Sequence, residues 1–347
     1  MAAPIVLGVL IDQHLDAVET AHLEGLAAGL RNAPLDRPVE LDVERTEALP
    51  EGTSKALSDG FDALVARGAV AIVGPGVTDN ALLACRLADR HEVVCLNWSG
   101  NENTRSRFCF QFQVGSLEEE ALVLARELSR RGIDRVAVIY DRSSIGDAYF
   151  DWFRARSRSA GIAIVSAIDI SPVATDTREE MSRTLAAGPD ALVYLGLGHS
   201  AVAVAEALPA SAGELPVFTN TALMYGHMYA ERRPAWNNWV YIDMFSDHNP
   251  LLQQARQTSP EDWQNNPIGI CSYDMGALMG NAFAVARDLN PVSILAAMHR
   301  VKQLPALCGN AGTVMTVGPW DRAVLKGDYL VLRSWRDGVS VEAADAS

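Results

Sequence analysis

Short apolar runs alternate along the chain with longer stretches whose apolar side chains return every three or four positions. The runs are Ile5–Leu10, Val70–Val73, Val93–Leu96, Val136–Tyr140, Ala191–Leu195 and Pro216–Phe218. A first helical stripe carries Val18, Ala21, Leu26 and Leu30. A second carries Leu57, Phe61, Leu64 and Val65 and stops at Gly68. Short apolar strands separated by amphipathic helices predict an α/β fold with parallel sheets covered on both faces. In such sheets ligands bind outside the carboxyl ends of the strands, so function is to be sought in the turns that follow the runs.

The first set of units continues with a helix over 79–90, the polar loop Asn97–Arg107, the strand Phe108–Phe112 and the helix Leu117–Arg131. From Val136 the rhythm restarts, with strands at 136–140, 162–168, 191–195 and 216–218, helices at 147–160, 177–187 and 200–208, and a further strand over Trp239–Phe245. Helices at 270–288 and 291–303 and β-rich sequence at Gly312–Val317 and Asp328–Ser334 close the chain. Two similar sets and a helical return predict two Rossmann-like lobes, with the chain crossing near 113–116 and 244–248. The expected division is 1–114 plus 246–316 for lobe 1 and 115–245 plus 317–347 for lobe 2.

A length of 347 residues agrees with two cores rather than one. The net charge of −14 repels phosphate backbones and anionic headgroups, which disfavours nucleic acid and membrane-surface partners. No apolar stretch approaches the roughly 20 residues that span a bilayer. Met1-Ala2-Ala3-Pro4 lacks a basic leader region, so the chain reads as cytoplasmic as written, or as extracytoplasmic with its leader removed. The five cysteines have no metal-ligand spacing and read as buried thiols, and no cofactor is expected.

Enzyme motifs are weak. Gly196-Leu197-Gly198-His199-Ser200-Ala201 resembles a dinucleotide-binding turn, but Val217-Phe218-Thr219-Asn220 lacks the acid that would hold a ribose. The same turn half-matches a nucleophile elbow, with Val202 where a glycine belongs. The seven histidines are dispersed, without metal-binding spacing. What remains is a set of polar and aromatic residues at strand ends: Gln13, Thr78, Trp98, Ser99, Asn101, Asp141, His199, Thr221 and Tyr225. Thr78 and Ser200 could equally serve as helix caps. Trp98, a large aromatic in a polar loop that reads as exposed, has no cap to make and reads as a binding wall.

The segments Ala71–Thr78, Cys95–Gly100 and Phe108–Val114 resemble the type I periplasmic solute-binding proteins, in the leucine/isoleucine/valine-binding and amide-sensor branch. Val136–Asp141 with Ile145-Gly146, Ala191–Gly198, Ser272-Tyr273-Asp274 and Gly309–Val317 extend the resemblance over nearly the whole chain. It implies two lobes joined by three crossing strands that close over a small ligand without catalysis. Thr78 corresponds to the family's first hydroxyl position, Ser99 and Asn101 to its second loop, and Gly198/His199 and Thr221 to the second-lobe positions. Three features depart from the pattern: Asn220-Thr221-Ala222 holds no acid, Ile145 stands at a common tyrosine, and no cysteine precedes Cys85. The expected function is capture of a small polar ligand, an amino acid, amide or small carboxylate, for ABC-type uptake or for sensing. The implied partners are the importer's membrane subunits or, for a cytoplasmic amide-sensor-like protein, a regulatory protein. An enzyme on a doubly wound scaffold is the competing class.

Overall fold

The structure, a computed structural model, describes residues 3–12, 16–209 and 215–343. Gln13 lies outside the described residues. The chain divides into two compact units, Met1–Val114 with Met244–Tyr329, and Gly115–Asp243 with Leu330–Ser347.

The first unit opens with β1 (Ile5–Ile11), α1 (Asp16–Arg31), β2 (Val39–Arg45), α2 (Ser54–Ala66), β3 (Ala71–Val73), α3 (Thr78–His91), β4 (Val94–Asn97) and β5 (Cys109–Gln111). Its five strands are parallel in the order β2-β1-β3-β4-β5. The apolar runs are the interior strands: β3, β4 and β5 are buried at every position, as covering on both faces requires. β2 is the strand that apolar runs do not reveal. Val-Glu-Leu-Asp-Val-Glu-Arg alternates because it is a half-exposed sheet edge, where charge also discourages edge-to-edge pairing.

The second unit contains α4 (Leu117–Arg130), β6 (Arg135–Asp141), α5 (Ser144–Ser159), β7 (Ala163–Ile170), α6 (Arg178–Leu185), β8 (Ala191–Leu195), α7 (Ala201–Ala207), β9 (Val217–Thr219) and β10 (Val240–Asp243). The chain then supplies α8 (Pro250–Thr258), α9 (Pro267–Val285), α10 (Pro291–Met298) and the short strands β11 (Leu304–Pro305), β12 (Val314–Met315) and β13 (Leu325–Lys326) to the first unit. It ends in the second unit with β14 (Val331–Arg336) and β15 (Val339–Glu342).

The second sheet runs β15-β14-β10-β9-β8-β6-β7, with β14 and β15 antiparallel at one edge. Its parallel part repeats the winding of the first sheet: the second strand lies outside the first, and the third, fourth and fifth follow on the other side. Each unit therefore has one topological switch point, between β1 and β3 and between β6 and β8. Behind the second sheet, the Trp335 and Tyr241 rings stack with centroids 5.6 Å apart within a cluster that includes Trp236 and Trp239.

Residues 317–329 lie in the first unit, not in the second lobe where the sequence pattern put them. Val324 N–H donates to Gln111 O at 2.9 Å, and Gln113 Oε1 accepts from both Val324 and Leu325 N–H at 2.9 Å. These bonds tie the segment to the end of β5, and a β-rich stretch carries no sequence signal of that pairing.

Candidate ligand-binding site

Each switch point is built on an aspartate. In the first unit Asp12 follows β1, and its carboxylate accepts from Gly76 N–H and Val77 N–H at 2.9 Å and from Asn80 Nδ2 at 2.9 Å. It thereby holds the loop between β3 and α3. Burial raises its pKa, while those three donors pull the other way. In the second unit Asp141 ends β6 and is fully buried. It accepts from Leu197 N–H at 2.7 Å, Ser200 Oγ at 2.9 Å and Tyr194 Oη at 3.0 Å. Burial raises its pKa as well, opposed by the same bonds.

The structure shows how three of the residues singled out in the sequence are used. Asp141, expected among the ligand groups, has its carboxylate engaged in clamping the β8–α7 loop. Ser200 stands at the N-cap position of α7 but makes no side-chain capping bond: it is buried with its hydroxyl between Asp141 and Tyr194 Oη (2.9 Å). The cap of α3 is Val77, not Thr78, and Val77 has no side chain able to accept a hydrogen bond. By contrast, Thr53, Ser116 and Ser143 cap α2, α4 and α5 with their own hydroxyls. The first-turn N–H groups of α3 are thus left without a side-chain cap.

Around that helix start the first unit gathers Thr78, Ser99 and Trp98. Thr78 Oγ1 and Ser99 Oγ lie 3.0 Å apart, and Ser99 Oγ also accepts from Asn101 N–H at 3.1 Å. Trp98 is buried rather than exposed, at 9%. Its indole lies flat over Gly76, where a Cβ would approach the ring to 2.6 Å, and its centroid is 5.7 Å from that of His22. Among the described residues the indole Nε1 has no hydrogen-bond partner. The Asn101 side chain is turned into its own loop, accepting from Asn103 N–H at 2.9 Å.

In the second unit His199 is exposed and its ring is 6.3 Å from that of Tyr225. Thr221 follows β9 and is held from below by Glu120: its N–H donates to Oε2 at 2.7 Å and its hydroxyl to Oε1 at 3.3 Å.

Two residues escaped the search at strand ends. His22 is buried in α1, its Nδ1 2.7 Å from Ser272 Oγ, and burial lowers its pKa to about 4, so the ring is neutral. Glu120 is fully buried in α4. The signal for both was helical spacing: His22 falls among Val18, Ala21 and Leu26, and Glu120 among Leu117, Ala121 and Leu124, on the buried faces of their helices.

Two units whose parallel strands wind in the same order, each with a clamped loop at its switch point, define a protein of the doubly wound α/β class. The chain belongs to the periplasmic binding protein family, whose sequence model matches residues 19–324. Comparison with curated proteins gives no match. Among solved structures, a leucine-binding protein from Thermotoga maritima superposes with a TM-score of 0.81 at 14% identity, covering 98% of each chain. An ABC transporter substrate-binding protein from Desulfitobacterium hafniense, in complex with Leu, gives 0.79 at 17% identity over 98% of this chain and 100% of its own. The branched-chain amino acid transporter substrate-binding protein of Streptococcus pneumoniae, in complex with isoleucine, gives 0.79 at 15% identity over 97% and 98%. The fold is the type I periplasmic binding fold. The family consists of substrate-binding proteins rather than enzymes, which capture small ligands without chemistry and work with ABC transporters.

Proposed function

We propose that this protein captures a small amino-acid-like ligand, with the first unit holding its carboxylate or amide oxygen and the second its nitrogen end. The observation that carries this reading is the start of α3. A helix N-terminus with no side-chain cap, two hydroxyls 3.0 Å apart and a flat indole wall suit a planar anionic or carbonyl group with an apolar neighbour. Thr78 and Ser99 donate, Trp98 packs against the ligand, and His199, Thr221 and Tyr225 serve its other end. Two structural relatives hold leucine and isoleucine, which sets branched-chain amino acids first in the panel. Asn101 stands at the margin of this arrangement, and Gln13 is a further candidate by its position in the sequence. The ligand-loaded protein is read by an importer's membrane subunits, since capture stabilises one conformational population that a partner recognises.

Thermal unfolding against amino acids, amides, ureas and nicotinamide nucleotides tests the reading. A raised midpoint with an amino acid or amide supports it, because a ligand bound to the native state adds stability. Thr78→Val should abolish that shift while leaving the unliganded midpoint in place, and Thr221→Val should reduce it without abolishing it. A response to nucleotides alone would replace capture with dinucleotide chemistry.

A further inference from the structure

Glu120 is a buried carboxyl that receives four hydrogen bonds. Ser116 N–H reaches Oε1 at 2.7 Å, Tyr149 Oη at 3.1 Å and Thr221 Oγ1 at 3.3 Å, while Thr221 N–H reaches Oε2 at 2.7 Å. The groups that face it are Tyr149 from α5, Thr221 from the turn after β9, and Gly115 and Ser116 ahead of its own helix. Tyr149 is the titratable one, and burial keeps its phenol protonated, so it remains a neutral donor. Gly115 leaves the space: a Cβ there would come within 2.5 Å of Oε1. Among the described residues no lysine, arginine or histidine pairs with Glu120. The nearest arginine pairing on this helix joins Arg156 to Glu118.

Such a carboxyl controls what Thr221 offers outward. When Glu120 is ionised, it accepts the Thr221 O–H, and the hydroxyl turns its lone pairs away, ready to accept from an N–H group. When Glu120 is protonated, its own O–H needs an acceptor. The Thr221 oxygen can serve, which frees the Thr221 hydrogen to donate to a carbonyl or carboxylate. We propose that Glu120 is a positioning residue that sets the hydrogen-bonding polarity of Thr221, so that its ionised state selects ligands bearing an N–H or ammonium group at the second unit. The inference rests on the proposed ligand-capture function and specifies what the second unit recognises. Burial, opposed by the four donors, raises the Glu120 pKa to about 7, which brings the change of polarity into the physiological range.

Calorimetric titration with L-leucine and its deaminated analogue 4-methylpentanoate, which differ at the nitrogen, tests this. In the wild type the affinity ratio of leucine to 4-methylpentanoate should rise about tenfold between about pH 5.5 and about pH 8.5. Both probes keep their own charges over that interval. Glu120→Gln should flatten the ratio within about twofold, and Thr221→Val, which leaves the buried carboxyl in place, should flatten it too. A wild-type ratio that does not change with pH, or a slope retained in both variants, overturns the proposal and leaves ligand capture standing. Tighter binding of 4-methylpentanoate at every pH also overturns it, and binding of neither probe overturns the branched-chain reading on which it rests.

Discussion

The two units use the same clamp but bury different amounts of charge beside it. Asp12 and Asp141 stand at equivalent places, each at the end of its unit's first strand and each accepting from three donors, at least one of them an N–H of the loop after the third strand. The first unit places a neutral His22 next to the Trp98 indole, whereas the second places Glu120 under Thr221. The clamp therefore belongs to the winding, because any sheet of this order brings those two strand ends together. The extra carboxyl is not required by the winding, and on the proposal above it serves what the second unit recognises.

Removing the clamps gives the largest expected effect. Asp12→Ala and Asp141→Ala each leave buried donors without an acceptor, and each should cost on the order of 4 kcal/mol at 1–3 kcal/mol per orphaned group. Urea unfolding followed by circular dichroism measures it. Losses equal within about 1 kcal/mol would sharpen the equivalence. A tolerated Asp12→Ala beside a ruinous Asp141→Ala would break it.

Glu120 comes next, and its sign is opposite to that of a paired acid. Its pKa rises from 4.5 to about 7 on folding, so the folded state holds the proton more tightly than the unfolded chain. Its contribution is fully present below pH 4.5 and is lost as pH climbs towards 7. Glu120→Gln should therefore match the wild type under acid conditions and exceed it at pH 8 by roughly 3 kcal/mol, because each tenfold change in proton affinity is worth about 1.4 kcal/mol. Denaturation midpoints across that range check the slope. A variant that is less stable at pH 8 would mean that the four hydrogen bonds outweigh the cost of burying the charge.

Much of this architecture was legible because the interior strands are buried on both faces and read as apolar runs, with Gly68 and Gly132 marking helix ends. The repeated winding was legible for the same reason, through the restart at Val136. β2 was hidden because an edge strand alternates charge with apolar residues, as Val39–Arg45 does. The return of residues 317–329 to the first unit was hidden because it depends on side-chain bonds from Gln113, far away in sequence. At the candidate site, strand-end position picked out Thr78 and Ser99, whose hydroxyls lie 3.0 Å apart, and Thr221 after β9. It missed the burial of Asp141 and Trp98, since burial of a polar or aromatic loop residue is decided by what folds over it. Glu120 sat in the run Glu118-Glu119-Glu120, which reads as an ordinary acidic first turn.

Glycines in the clamped loops sharpen the comparison at an intermediate scale. A Cβ at Gly196 would sit 2.2 Å from Asp141 Oδ2, whereas one at Gly76 would meet the Trp98 ring at 2.6 Å. Gly196→Ala displaces the clamp itself and should cost about 3 kcal/mol. Gly76→Ala displaces an indole that can slide, and should cost about 1–2 kcal/mol while shifting tryptophan fluorescence and weakening ligand binding. Equal losses without a fluorescence change would mean that Trp98 does not rest on Gly76.

The smallest effect is the one in which stability and binding part company. Val77 starts α3 in an extended conformation suited to a cap, with φ −68° and ψ 131°, but lacks a side-chain acceptor. Val77→Ser would let a hydroxyl accept from the first turn and should stabilise the unliganded protein by about 0.5–1 kcal/mol. The same hydroxyl would compete with a ligand oxygen for those N–H groups, so affinity should fall about threefold to tenfold. Ser143→Ala is the matched control in the second unit. There the hydroxyl already accepts from Gly146 N–H at 3.1 Å, and its loss should cost about 1 kcal/mol without touching affinity. Val77→Ser that gains stability and keeps full affinity would show that the start of α3 is a vacant cap and not the seat of the ligand's oxygen. A loss of affinity in Ser143→Ala would instead move recognition from the Thr221 side of the second unit to the start of α5.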